Sequence, residues 1–120
     1  MLPKKNRADR KTVEKIFKEG RFINSANLSF KFLLNKNASV SQISFITPKT
    51  VSKKAVVRNL LRRRGYAVLR KYFLILPKGL NGVILFGKNS EGVFGGRKNN
   101  SYNPIINLEN EIKIILNKIN

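Results

Sequence analysis

Apolar residues recur at spacings of three and four in TVEKIFKEG, where Val13, Ile16 and Phe17 share one side of an expected helix. Asp9 and Thr12 are candidate N-caps for it, and Gly20 is the expected stop. From Arg21 to Pro48 the period falls to two. Leu28, Phe30 and Phe32 alternate with Ser29, Lys31 and Leu33, while Ile43, Phe45 and Thr47 alternate with Ser44 and Ile46, so two or three antiparallel strands are expected. The polar NKNAS between these runs, residues 35–39, reads as a hairpin connection. Ser52 then caps an expected helix reaching about Phe73. On its wheel Arg58, Asn59, Arg62, Arg63, Tyr66 and Arg70 fill one arc, and Val56, Val57, Leu60, Leu61, Ala67, Val68 and Tyr72 the other. Arg64 falls among the apolar positions, and Gly65 marks a place where a neighbouring element can come close. Pro77, Gly79, Asn81 and Gly82 read as a turn leading into VILFG, a short apolar run suited to a central strand. A Gly/Asn-rich loop follows at residues 91–104. The last helix is expected over residues 107–119, capped by Asn107, with Glu109 and Glu111 in its first turn and Ile112, Ile115, Leu116 and Ile119 facing the core.

The 120 residues fit one domain, residues 1–120, opening on a basic extended arm at 1–8. Charge narrows the partners further: 25 Lys and Arg against 6 Asp and Glu give a net +19, which favours a polyanion, nucleic acid before membrane. No run is long and apolar enough to span a bilayer, no signal core follows the basic start, and a cytoplasmic location is expected. Cysteine and histidine are absent, which removes disulfides, thiolate metal sites and the commonest general base. Between Gly20 and Ser90 there is no carboxylate at all. Side-chain catalysis is therefore not expected of this chain.

The acid-free segment KKAVVRNLLRRR, residues 53–64, is its most informative stretch. Guanidinium groups offer planar donor forks matched to phosphate oxygens, and they stay charged at any physiological pH. Six phosphate contacts on a duplex would give a log–log salt slope of roughly −5, a loss of about a thousandfold in affinity between 50 and 200 mM salt. Strands flank the basic helix where a helix-turn-helix protein would have a second helix, so reading a DNA major groove is disfavoured and docking on RNA shape and backbone is favoured. Phe17, Phe30 and Phe32 are the aromatic candidates for stacking on unpaired bases, with core packing as the favoured alternative for each of them.

LPKKNR, VEKIFKEGR and PKTVSKKAVVRNLLRRR, in this order and spacing, resemble the bacterial ribonuclease P protein component, from Leu2 through VILFG and more loosely to the last helix. The resemblance implies an α/β two-layer sandwich of about four strands in a mixed sheet with three helices, including a left-handed β-α-β crossover. It implies a subunit of a ribonucleoprotein endoribonuclease in which the RNA is catalytic, with Mg²⁺ held mainly by that RNA. The implied partners are the catalytic RNA and the 5′ leader of precursor tRNA, with no membrane and no small-molecule cofactor. Carried over by motif, Lys4, Lys5, Asn6 and Arg7 of the arm and Lys53, Lys54, Arg58, Asn59, Arg62 and Arg63 of the helix are the RNA-binding residues. Val13, Phe17 and Lys31 line the leader cleft. Two departures stand out: Leu60 occupies a position that is usually basic, with Arg64 as an extra charge nearby, and Val13 and Lys31 stand where aromatics are common. The alternative is a ribosomal-type structural RNA-binding protein.

Overall fold

A computed structural model of the chain describes residues 10–34, 41–97 and 103–119. Helix α1 (Arg10–Glu19) ends at Gly20, whose N–H closes the last turn on the Ile16 carbonyl at 2.7 Å. Thr12 lies inside this helix and is not its cap; Asp9 is outside the described residues. Strands β1 (Arg21–Asn24), β2 (Leu28–Leu34) and β3 (Gln42–Ile46) follow, then helix α2 (Ala55–Tyr72), a 3-10 turn (Phe73–Ile75), strand β4 (Leu80–Phe86) and helices α3 (Ser90–Phe94) and α4 (Pro104–Lys118).

The sheet has four strands in the order β1-β2-β4-β3, with β1–β2 and β2–β4 antiparallel and β3–β4 parallel. The expected hairpin between β2 and β3 is therefore wrong: β4 inserts between them, and β3-α2-β4 forms the parallel crossover. NKNAS lies outside the described residues. The hairpin is instead β1–β2, turning through residues 25–27. VILFG takes an interior strand as expected, but β4 starts earlier, so Asn81 and Gly82 belong to the strand and not to the turn before it. Gly79, at φ 75°, makes that turn.

Strand alternation divides the sheet into two unlike faces. Leu28, Phe30 and Phe32, with Ile43, Phe45, Leu80, Ile84 and Phe86, bury one face in a shared core with Leu61, Val68 and Leu69 of α2 and Leu108, Ile112 and Ile115 of α4. A Cβ at Gly82 would overlap the Phe30 ring, so only glycine allows Phe30 to lie flat across β4. The other face carries Phe22, Asn24, Ser29, Lys31 and Val83, and α1 crosses it over β2 and β4. Ile16 of α1 and Val83 are both fully buried outside the main core, where they mark a smaller apolar contact beneath that helix.

Two helix starts differ from expectation because side chains found other work. Ser52 accepts the Lys54 N–H at 3.2 Å in the turn before α2, whose first residues have no side-chain cap. The last helix begins three residues earlier than Asn107: Asn103 accepts the Ile105 N–H at 3.0 Å and Pro104 supplies a first residue with no N–H to satisfy. Glu109 and Glu111 consequently sit mid-helix. Glu111 is buried, and its carboxylate accepts from the Ser25 hydroxyl at 2.7 Å, the Asn27 N–H at 2.7 Å and the Asn27 side-chain amide at 2.9 Å. This one side chain pins the β1–β2 turn to α4.

Because a buried donor left unpaired costs about 1–3 kcal/mol, Glu111→Ala is expected to destabilise the chain by about 3 kcal/mol in urea unfolding, and Glu111→Gln, which keeps a carbonyl acceptor, by less. Glu109 is held below the ordinary value of 4.5, first by its hydrogen bond from Lys71. A depressed carboxylate contributes stability above its unfolded pKa that is lost as pH falls through the folded one. The difference in unfolding midpoint between the parent chain and Glu109→Gln should accordingly be present at pH 7 and close on acidification below about pH 4.5.

Candidate nucleic-acid interface

How α2 is seated decides which cations face outward. Gly65 lies against the Phe45 ring so closely that a Cβ there would stand 2.7–2.9 Å from three ring atoms, and the helix can therefore rest on β3. Tyr66 is buried as well. Its hydroxyl accepts the Phe45 N–H at 3.1 Å, and its ring meets the Phe45 ring edge-on at 4.9 Å. That bond satisfies a backbone donor on β3, an edge strand of the sheet. The wheel drawn from sequence is thus rotated: Tyr66 leaves the basic arc for the core, while Ala67 and Val56 are exposed, Val56 at 70%.

The outward face retains Lys53, Lys54, Asn59, Arg63 and Arg70, all exposed, with Arg58 and Arg62 half-buried along its flank. Arg58 donates to the Ser52 carbonyl at 2.9 Å, and Arg62 donates to the Asn59 side-chain oxygen. Asn59 thereby steers the Arg62 fork along the surface. Among the described residues the ion pairs are Arg10–Glu14 and Lys71–Glu109, so no carboxylate neutralises Lys53, Lys54, Arg58, Arg62 or Arg63. Arg64 behaves differently and is half-buried. One of its nitrogens donates to the Phe94 and Gly96 carbonyls, both at 2.7 Å, clamping the end of α3 to α2.

The region expected to be a loop from 91 to 104 therefore contains a docked element. Phe94 is fully buried with its ring 6.1 Å from that of Phe86, and the Asn107 amide donates to the Val93 carbonyl at 3.3 Å. Sequence patterning gave no sign of α3, because five residues are too few for a helical period.

On the opposite face of the sheet, Phe17 is 42% exposed and the Lys31 ammonium stands 5.1 Å from its ring centroid, a cation–π contact joining α1 to β2. Val13, one turn earlier on α1, is half-buried. Phe30 and Phe32 are not available for stacking: both are core residues, with rings 5.1 Å apart and nearly parallel. The aromatic that sequence reasoning missed is Phe22, 54% exposed, with the same lysine 5.8 Å from its ring. Its pairing opposite Lys31 was the available signal. Lys4, Lys5, Asn6 and Arg7 lie outside the described residues.

Among the described residues no three His, Cys, Asp or Glu side chains come together to hold a metal ion. The described residues thus offer no cage for Mg²⁺. Nor is any helix among them long and apolar enough to cross a membrane.

A cationic helix facing outward on one side of a small mixed sheet, with Phe17, Lys31 and Phe22 grouped beside α1 on the other, is the architecture of a small basic α/β protein whose charge favours a polyanion. Comparison with known proteins makes this specific. The Ribonuclease P family model matches residues 2–113. A ribonuclease P protein component from a Pseudanabaena species is 34% identical over 85 residues, spanning 70% of this chain and 73% of that protein. The RNase P protein of Thermotoga maritima superposes with a TM-score of 0.78 at 22% identity, covering 95% of this chain and 97% of the other. An RNase P protein mutant from Staphylococcus aureus superposes at 0.75 and 12% identity, over 93% and 86% of the two chains. The chain belongs to the family of ribonuclease P protein components, whose general function is maturation of the tRNA 5′ end within a ribonucleoprotein.

The Arg64 clamp has a measurable consequence. Arg64→Ala should lower stability by about 1–3 kcal/mol through two unpaired carbonyls and speed amide exchange in residues 90–97.

Proposed function

We propose that this chain grips the catalytic RNA of ribonuclease P through the outward face of α2 and the basic arm, and holds the 5′ leader of precursor tRNA in the cleft of Val13, Phe17 and Lys31. Cleavage in this reading is Mg²⁺-dependent chemistry of the RNA subunit, and the protein contributes affinity and placement. The observation that carries it is the row of cations from Lys53 to Arg63 with no carboxylate partner among the described residues. Like charges spaced three or four apart on a helix repel by a few tenths of a kcal/mol per pair. Phosphates laid along the row remove that repulsion and release counterions as they bind.

Arg64 lies half-buried with one nitrogen turned to two carbonyls of the α3 end, and the segment's other five cations are counted here as the phosphate contacts. The expected duplex slope is then about −4.5, a loss of several hundredfold between 50 and 200 mM salt. Arg62 and Arg63 suit phosphate forks, whereas Lys53 and Lys54 act as point charges. The cleft works on another principle. Phe17 offers a ring face for an unpaired base, and Lys31 beside it offers charge to the adjoining phosphate.

Reconstitution with a ribonuclease P RNA at low Mg²⁺ tests both halves. Arg62→Ala should weaken assembly with the RNA and reduce the salt slope by about 1, with leader affinity less affected. Phe17→Ala should do the reverse, weakening precursor binding by about tenfold while assembly holds. Failure of the unmodified chain to stimulate 5′ cleavage under these conditions would overturn the reading.

A further inference from the structure

The C-terminal end of α2 carries a surface of another kind, separate in sequence from the basic segment and from the cleft. Between Lys71 and Lys78 the chain reads YFLILP, six residues without a charge. Leu74 is 98% exposed and Ile75 75%, the two most exposed large apolar side chains among the described residues. Lone apolar residues on a surface are ordinary. These two are adjacent, and the turn that presents them is fixed. The Leu76 N–H donates to the Phe73 carbonyl at 3.3 Å, and the Ser41 hydroxyl donates to the Pro77 carbonyl at 2.7 Å while accepting the Leu80 N–H at 3.2 Å. Phe73 and Leu76 pack against the main core. Leu34, 44% exposed, ends β2 opposite Leu80 at the same end of the sheet. Cations frame the tip: Arg70 and Lys78 are exposed and form no ion pair among the described residues.

Each class of partner makes a different demand on such a tip. RNA offers phosphates and flat bases, and two aliphatic side chains match neither. A second copy in an isologous contact would bring the same cations face to face, on a chain already at +19. A stably bound protein needs about 800 Å² of matched surface on each side, whereas Leu74 projects almost wholly into solvent on a turn of three residues. An anionic bilayer surface asks only for a short apolar wedge to enter the acyl boundary and for cations beside it to meet the headgroups. Both are present, and the net charge complements that surface. We infer that Leu74 and Ile75 insert into the interface of an anionic lipid bilayer, with Arg70 and Lys78 on its headgroups. The inference uses none of the cations from Lys53 to Arg63, so it does not rest on the RNA-binding reading. It replaces the expectation of no membrane with a surface contact, for which no spanning helix is needed.

The test uses the full chain without RNA and vesicles of phosphatidylglycerol mixed with phosphatidylcholine, with phosphatidylcholine alone as the neutral reference, read by co-sedimentation at about 50 and about 300 mM KCl. The parent chain should bind the anionic vesicles at both salts and the neutral ones far more weakly. Because a net +19 draws the chain to any anionic surface at low salt, the discriminating readout is the part that salt does not screen. Leu74→Ser combined with Ile75→Ser should lower partitioning about tenfold at the higher salt, with the unfolding temperature unchanged because both side chains already lie in water. The chain contains no tryptophan, so Leu74→Trp places a single indole at the tip. Its emission should shift to the blue with the anionic vesicles and be quenched by lipids brominated in the acyl chain. Equal binding by the parent and the doubly substituted chain at both salts overturns the inference and leaves adsorption by charge alone. So does a Leu74→Trp emission that stays that of a water-exposed indole on the vesicles. A blue shift that follows protein concentration, or added RNA, in the absence of lipid also overturns it, by putting a second copy or the RNA on the tip.

Discussion

The close approach of α2 to strand β3 is the contact on which the interface depends. Gly65 removes the one side chain that would hold the helix off the Phe45 ring, and Tyr66 fixes its rotation by accepting the Phe45 N–H. Rotation is the quantity that matters, since one residue on a helix is worth about 100°. A helix turned by that much in one sense would direct Asn59, Arg62 and Arg70 toward the sheet and expose Leu61, which is now fully buried. The cost of burying unpaired guanidinium groups makes that alternative inaccessible. Packing on one side of α2 therefore sets the electrostatics of the other.

The alternation of its side chains gives the sheet two unlike faces. One face is a continuous aromatic and aliphatic core, closed by α2 and α4. The other is only partly covered by α1, which leaves Phe17, Lys31 and Phe22 accessible around a narrow apolar contact at Ile16 and Val83. Glu111 joins the faces mechanically: a carboxylate from the core-side helix holds the turn that borders the open side. A chain with 6 acidic residues has spent one of them, buried, on the geometry of a hairpin.

Much of this was legible in the sequence because it is local. The alternation in LSFKFLL correctly divided β2 into Leu28, Phe30 and Phe32 against Ser29 and Lys31, and the absence of acids marked the basic helix. What escaped was non-local. No pattern in residues 28–46 announces that a strand forty residues later will insert between two apparent hairpin partners. Tyr66 looked polar because its hydroxyl's partner is a backbone N–H at the edge of another element. Asn107 looked like a cap because an Asn-rich tract offers several, and Pro104 beside Asn103 was the discriminating feature. Of the stacking candidates, Phe17 remained exposed, whereas Phe30 and Phe32 were claimed by the core and Phe22 took their place on the surface.

Arg64 shows why counting charges overstates an interface. It sits in the middle of the basic run, yet two short hydrogen bonds to carbonyl oxygens direct its donors to α3, where they brace a segment that Phe94 anchors in the core. Its full charge still adds to the long-range field that attracts a polyanion, because a neutral carbonyl partner does not cancel it. Both bonds come from one nitrogen, so part of the guanidinium fork is turned to the protein's own backbone. Leu60, one turn before it, adds no charge to the run. The basic helix thus combines a broad attractive field with five cations that have no carboxylate partner among the described residues, Lys53, Lys54, Arg58, Arg62 and Arg63, and of these Arg58 and Arg62 are already oriented by Ser52 and Asn59. Guanidinium groups already held in place lose less side-chain freedom on meeting an anion than free ones would, so the hydrogen bonds from Arg58 and Arg62 lower the entropic cost of any contact they make.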